Sequence, residues 1–98
     1  MSKAERRQFD IDETRRIVGD RDGWTCRYCG APGEHLAHVI PQDKRYVATF
    51  GAELIHHPEN MVMTCSRCNY RAELDPKTQP VKARAHIDRL RRLIEGGE

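Results

Sequence analysis

Several features are missing from this 98-residue chain, and each absence excludes a class of protein. No run of about 18 apolar residues is present, which excludes a membrane-spanning helix. The first residues, MSKAERRQFDIDE, lack the apolar segment of a secretory signal, so we expect a cytoplasmic protein of bacterial or phage type. Aromatic residues make up only 6% of the chain and hydrophobic residues 38%. Residues 1–98 therefore predict a single small domain whose apolar core needs a further source of stability.

The pattern of apolar, capping and turn residues predicts both helices and short strands. Residues 10–19 predict a helix that Asp10 or Asp12 caps, and residues 80–95 predict an amphipathic terminal helix that begins at a proline. Short β-prone runs cover residues 35–41 and 61–64, and the polar stretch 42–60 between them predicts a long loop. A further helix is expected within residues 65–73. The fold class is accordingly α+β.

Four cysteines are the most informative residues in the sequence. They form two CxxC pairs, Cys26 with Cys29 and Cys65 with Cys68. In a reducing compartment such pairs bind metal more often than they form disulfides, and a redox role of one pair needs a βαβ context that is absent here. Four thiolates suit the tetrahedral coordination of zinc and leave no open position on the ion. We therefore predict a structural Zn²⁺ that supplies folding free energy to the small core.

The segment between and around the cysteine pairs resembles the HNH endonucleases. The resemblance covers residues 24–73 and rests on four motifs in order: a CxxC pair, the run HVIP, Glu-Asn before an apolar strand, and a second CxxC followed by Asn. It implies a small zinc-stapled ββα-metal domain, here with flanking N- and C-terminal helices, in which two strands and a helix hold one divalent ion.

The resemblance also implies roles for three residues. His38 takes the position of the general base, Asn60 that of the middle asparagine that braces the loop, and Asn69 the third position of an HNN variant. A neutral imidazole accepts a proton from water near neutral pH. An amide oxygen is a ligand that suits the catalytic Mg²⁺ or Mn²⁺ implied by the family.

One position departs from the family pattern. Where family members place Asp, Glu or His directly before the catalytic histidine, this chain has Ala37, which cannot bind an ion. Three interpretations follow: Asn69 holds the ion together with substrate phosphates and water, a substitute ligand is supplied from elsewhere, or the site is impaired. The candidate substitutes are His35, which lies on the same strand face as Ala37, and Asp43, His56 and His57 of the following segment.

The resemblance predicts a metal-dependent endonuclease that acts on duplex DNA. A monomer or weak dimer with one active site per chain is expected to nick single strands with little sequence specificity, leaving 5′-phosphate and 3′-hydroxyl ends. The basic residues nearest the candidate site, expected to contact phosphates, are Lys44, Arg45, Arg67 and Arg71. The alternative is an impaired HNH-like zinc module that binds nucleic acid without cutting it, and Ala37 is the main argument for it.

Overall fold

A computed structural model describes residues 11–96 of the chain. The predicted cap Asp10, the remainder of the N-terminal segment and residues 97–98 lie outside the described residues. In chain order the elements are helix α1 (Ile11–Asp22), strand β1 (His35–His38), helices α2 (Lys44–Phe50) and α3 (Ala52–Ile55), strand β2 (Met61–Thr64) and helix α4 (Pro80–Gly96). Two short 3-10 helices, Pro58–Asn60 and Asn69–Ala72, precede and follow β2. The predicted α+β class is confirmed, with helices on either side of a two-stranded sheet.

Strands β1 and β2 pair in antiparallel fashion, and their register divides the candidate residues between two faces. His38 lies opposite Met61, and Ala37 lies opposite Val62. Because side chains alternate along a strand, Leu36, His38, Met61 and Met63 share one face. That face packs against Val18 of α1 and is called the α1 face here. The other face packs against Ala72 of the second 3-10 helix and is called the 3-10 face.

The prediction of a long loop over residues 42–60 is wrong, because this segment contains α2, α3 and a 3-10 helix. The Asp43 carboxylate caps α2 by accepting a hydrogen bond from the Arg45 N–H at 2.8 Å. Apolar residues recur in this segment at helical spacing, and its buried members, Leu54 and Ile55, join Ile40 and the apolar stripe of α4 in the largest core cluster. The helical periodicity is present in the sequence, but the surrounding polar residues conceal it.

The buried carboxylate of Asp22 joins the end of α1 to the rest of the domain. Its side chain is 4% exposed and accepts hydrogen bonds from the Met63 N–H at 2.9 Å and from Arg27 at 2.8 Å. Arg21 donates to both carboxylate oxygens, at 2.7 and 3.0 Å. Burial opposes ionisation of Asp22, but these hydrogen bonds outweigh it and lower the pKa of the carboxyl to about 2. Helix α1, β2 and the segment of the first cysteine pair are thereby held together.

Two further helices were predicted, and they have different outcomes. Helix α4 runs from Pro80 to Gly96 and buries Ala83, Ile87 and Leu90. After the second cysteine pair, however, the chain forms only the 3-10 helix Asn69–Ala72 rather than an α-helix over residues 65–73. The prolines that follow at positions 76 and 80 leave little length for a longer helix there. Within residues 11–96, no helix is long and apolar enough to cross a membrane.

Candidate metal centre and histidine site

The four cysteines converge at the end of the hairpin where His35 lies opposite Thr64. Their sulfur atoms all lie within 4.8 Å of one another. Backbone hydrogen bonds bring the two pairs together, since the Arg27 N–H donates to the Met63 carbonyl and the Glu34 N–H donates to the Thr64 carbonyl, each at 3.0 Å. The first pair is therefore attached to the strand that leads directly into the second.

The geometry of this cluster fits zinc. Cys29 Sγ and Cys65 Sγ are 3.7 Å apart. Two thiolates at two corners of a zinc tetrahedron with Zn–S bonds of about 2.3 Å are separated by about 3.8 Å. Cys26 and Cys68 are buried, whereas Cys29 is exposed, so the cluster lies at the edge of the core. The cysteines are arranged to hold a structural Zn²⁺, as their spacing predicts.

His38 lies at the other end of the hairpin, on the α1 face. It is half-buried and lines a cavity of about 530 Å³. The other residues that line this cavity are Ile11, Arg15, Leu36, Gln42, Ala52 and His56. The cavity is thus bounded by α1, β1, the segment before α2 and both ends of α3.

His56, at the C-terminal end of α3, contacts His38 directly. His38 Nε2 and His56 Nδ1 are 3.3 Å apart, and the two rings meet edge-on with centroids 5.4 Å apart. Burial and the neighbouring His56 lower the pKa of His38 to about 4, and burial lowers the pKa of His56. Both imidazoles are therefore neutral at pH 7, and His38 retains a lone pair that can accept a proton.

Asn60 is fully buried and braces three segments of the chain. Its Nδ2 donates to the carbonyls of Ile40 and Ile55 at 3.2 and 2.8 Å, and its Oδ1 accepts from the Ile40 N–H at 2.9 Å. A fourth hydrogen bond, 3.1 Å long, comes to the same oxygen from His86 Nε2. These four bonds use the whole hydrogen-bonding capacity of the amide. Asn60 thus holds the chain that follows His38 against α3 and α4.

His86 is a residue that the sequence analysis missed. It is half-buried on α4, and burial together with the charge of Arg89 lowers its pKa to about 4. The neutral ring keeps a proton on Nε2 for its bond to Asn60. Its spacing in the sequence indicates that it is partly buried, because His86 lies three residues after Ala83 and four before Leu90, beside the apolar stripe of the helix.

Asn69 and Ala37 lie away from the ring of His38. Asn69 is exposed, and its Oδ1 accepts a hydrogen bond of 3.4 Å from the Thr64 hydroxyl, which lies on the 3-10 face. Ala37 is 5% exposed and packs on the same face against Val39, Val62 and Ala72. Strand alternation therefore separates Asn69 from His38, which lies on the α1 face.

Comparison with protein families matches residues 26–73 to the HNH endonucleases. This segment belongs to the HNH endonuclease family. The match extends from the first cysteine of the HNH domain to the residue after the second 3-10 helix. It confirms the family that the sequence motifs indicate. Comparisons with curated proteins and with solved structures gave no match.

The residues of the HNH domain do not form a complete protein site for a second, catalytic ion. Within residues 11–96, the four cysteines are the only group of three or more His, Cys, Asp or Glu side chains close enough to share an ion. Of the candidate substitute ligands, only His56 contacts His38. Among the other candidates, Asp43 caps α2, His57 accepts a hydrogen bond from the Glu59 N–H, and His35 is exposed on the 3-10 face. The neutral imidazole nitrogen that His56 offers beside His38 is a poor ligand for Mg²⁺, which prefers carboxylate oxygens.

Proposed function

We propose that the HNH domain hydrolyses DNA phosphodiester bonds, with His38 as the general base. The observation that supports this best is the position of His38, which belongs to the family segment, lines a cavity and is held neutral by its surroundings. Asn60 acts as a positioning residue through its bonds to Ile40. It keeps the end of β1 in place and does not touch the reacting atoms.

The pKa of His38 determines the pH range in which it can act. Because the pKa is lowered to about 4, the imidazole is neutral at pH 6–8 and can accept a proton from a water molecule placed in the cavity. A low pKa also makes the ring a weaker base than an unperturbed histidine. His56 limits the rotation of the ring through its contact with His38 Nε2.

A divalent ion belongs to the proposal as an expected requirement. We expect nicking to depend on added Mg²⁺ or Mn²⁺, with the substrate phosphate and water supplying most ligands. Of the candidate protein ligands, His56 contacts His38, whereas Asn69 is bonded to Thr64 on the opposite face of the sheet. The affinity for the ion is expected to be weak, because Ala37 stands where relatives carry a ligand. One site per chain predicts nicks rather than double-strand breaks from a monomer or weak dimer.

The test is conversion of supercoiled plasmid to open circles by the purified protein in Mg²⁺, in Mn²⁺ and in excess chelator. We expect metal-dependent nicking that falls at least about 100-fold in His38→Ala, in line with the loss of a general base. The melting temperature and zinc content of His38→Ala should equal those of the wild type, since the cysteine cluster lies at the other end of the hairpin. Equal nicking by both proteins would refute the role of His38.

A second candidate function is nucleic-acid binding without cleavage. Burial of Ala37 against Val39, Val62 and Ala72 favours it, because this position is part of an apolar cluster rather than of an ion site. In this case the wild type binds DNA but does not nick it in either ion.

Ala37→Asp distinguishes the binding module from an impaired nuclease, and Ala48→Asp on the exposed side of α2 is the matched control. A carboxylate at position 37 is buried beside apolar side chains, so we expect a lower melting temperature without added ion. If Mn²⁺ restores stability to Ala37→Asp alone and nicking begins, the natural site is impaired. If neither the wild type nor Ala37→Asp nicks DNA, the binding module is the better description.

A further inference from the structure

A second cavity, of about 390 Å³, lies where the end of α1, the first cysteine pair, the 3-10 helix Asn69–Ala72 and α4 meet. Four arginines from these four segments line it, namely Arg21, Arg27, Arg71 and Arg89. Val39, Met61, Val62, Ala72 and Leu74 form its apolar part, and Tyr28, Glu59 and His86 complete it. His38, His56 and Asn69 are not among its lining residues, so it is distinct from the histidine site.

The charges around this cavity do not cancel. The carboxylate partners of its arginines are Asp22 and Glu59, and Arg71 also lies beside the Cys68 thiolate of the zinc cluster, so three anionic groups face four guanidinium groups. Asp22 is bound on all sides by Arg21, Arg27 and the Met63 N–H. The neutral His86 adds no charge. The cavity therefore presents an excess of positive charge to an incoming anion.

One arginine is committed to the fold, while three have donors to spare. Arg21 bonds both oxygens of Asp22 and the carbonyls of Pro58 and Met61. Arg27 uses Nη2 for Asp22, and Arg89 uses Nη1 for Glu59. Arg71 lies over the Tyr28 ring at 5.3 Å, with Nη1 3.8 Å from Cys68 Sγ. Since a guanidinium carries five N–H groups, each of these three can still donate into the cavity.

We propose that this arginine cavity binds a phosphate group of the nucleic acid and anchors it away from His38. The inference rests on the proposed function for the identity of the ligand. Guanidinium groups bind phosphate oxygens through paired N–H donors, and three such groups from separate segments can surround a tetrahedral anion. No divalent ion is needed for this contact. The anchor fixes the orientation of the polynucleotide relative to the hairpin.

The test measures binding of a fluorescein-labelled DNA duplex by fluorescence anisotropy in buffer without added divalent ions. Arg27→Gln with Arg89→Gln should weaken binding about tenfold or more and should lower the salt slope by about one per lost phosphate contact. Arg71 is left intact because it contacts the zinc ligand Cys68. The matched control is Arg92→Gln, an exposed arginine on α4 outside the cavity lining, for which we expect less than about a twofold effect.

Folding is checked first through the melting temperature and zinc content of each variant. If the double variant is unstable, Arg27→Lys with Arg89→Lys takes its place, because it keeps the charge and loses the paired donors. A double variant that binds DNA within twofold of the wild type overturns the anchor, while wild-type nicking leaves the nuclease proposal standing.

A second experiment measures melting temperatures without nucleic acid, in the presence of inorganic phosphate or pyrophosphate. Both should raise the melting temperature of the wild type and of Arg92→Gln but not that of the double variant. If phosphate stabilises the wild type in this way while DNA does not bind, the cavity is a site for free phosphate, and the assignment to nucleic acid is wrong. Absence of any shift together with absence of DNA binding overturns the cavity as a phosphate site.

Discussion

The cysteine cluster and the surroundings of His38 occupy opposite ends of one hairpin, and they are built differently. At the cysteine end, four ligands converge within 4.8 Å and form a complete set for one ion. At the other end, His38 has a single histidine neighbour at 3.3 Å, and the other candidate residues are dispersed. The difference shows that a closed structural site is built from short local motifs, whereas the histidine site depends on which face of a strand each residue occupies.

Cys65→Ser should have the largest effect of any single change. It removes one of four zinc ligands, and a domain with so small an apolar core depends on the metal to fold. We expect loss of bound zinc and of the cooperative thermal transition, measured by circular dichroism. Ser66→Ala, an exposed change in the same turn, should melt like the wild type. A cooperative wild-type melt of Cys65→Ser would contradict the structural role of the metal.

Asn60→Ala should lower the free energy of unfolding by about 2–4 kcal/mol through a change near His38, at the end of the hairpin away from the cysteines. The substitution leaves buried backbone groups of Ile40 and Ile55 without hydrogen-bond partners. Urea unfolding measures the change in the free energy of unfolding. Asn69→Ala is the comparison, since Asn69 is exposed and its bond to Thr64 is 3.4 Å long. It should cost less than about 1 kcal/mol. Equal losses for the two asparagines would mean that Asn60 is not the brace of the domain.

Gly33→Ala should destabilise the cysteine end by about 1–3 kcal/mol through overpacking. A Cβ at Gly33 would lie 2.8 Å from the Thr25 carbonyl carbon and 2.9 Å from the Cys26 nitrogen. These are backbone atoms, so relief requires a shift of the first cysteine pair. The measurement is urea unfolding with zinc present, and the exposed neighbour Glu34→Ala serves as control. Unchanged stability of Gly33→Ala would show that this turn adapts easily.

A pH dependence of stability is also expected from the histidines. His38 and His86 have pKa values lowered to about 4, below the ordinary value of 6.5. Between these values the unfolded chain binds protons that the folded protein does not, so stability falls as the pH decreases from 6.5 towards 4 and is unaffected above 6.5. Urea unfolding at pH 7 and pH 5 measures this loss. His86→Gln should reduce it, and an unchanged loss in that variant would show that His86 does not contribute.

Much of the fold follows from local patterns in the sequence. The CxxC pairs, the β-prone run that begins at His35, the apolar run before Cys65 and the stripe of α4 each depend on a few neighbouring residues, and the structure contains a corresponding feature for each. The helices within residues 42–60 were not predicted because apolar residues are few in this segment. Their role in the core is evident only from the packing of Leu54 and Ile55 against α4. Helical spacing alone did not outweigh a polar composition.

The candidate site was less predictable for a related reason. The motif places His38, Asn60 and Asn69 in order along the chain, but order does not specify which contacts they make. The pairing of His38 with His56 spans 18 positions, and that of Asn60 with His86 spans 26. The arginine cavity draws on four segments, and no local pattern connects Arg27 to Arg89.

The sequence by itself determined the α+β class, the zinc-binding cysteines and the HNH family, because each depends on residue types at short fixed spacing. Only the tertiary structure decided that Ala37 is buried among apolar side chains, that Asn69 and His38 lie on opposite faces, and that Arg27 and Arg89 share a cavity. These relations depend on strand register and helix packing. Burial of apolar surface brings residues that are distant in sequence into contact, and these contacts cannot be inferred from the order of residues along the chain.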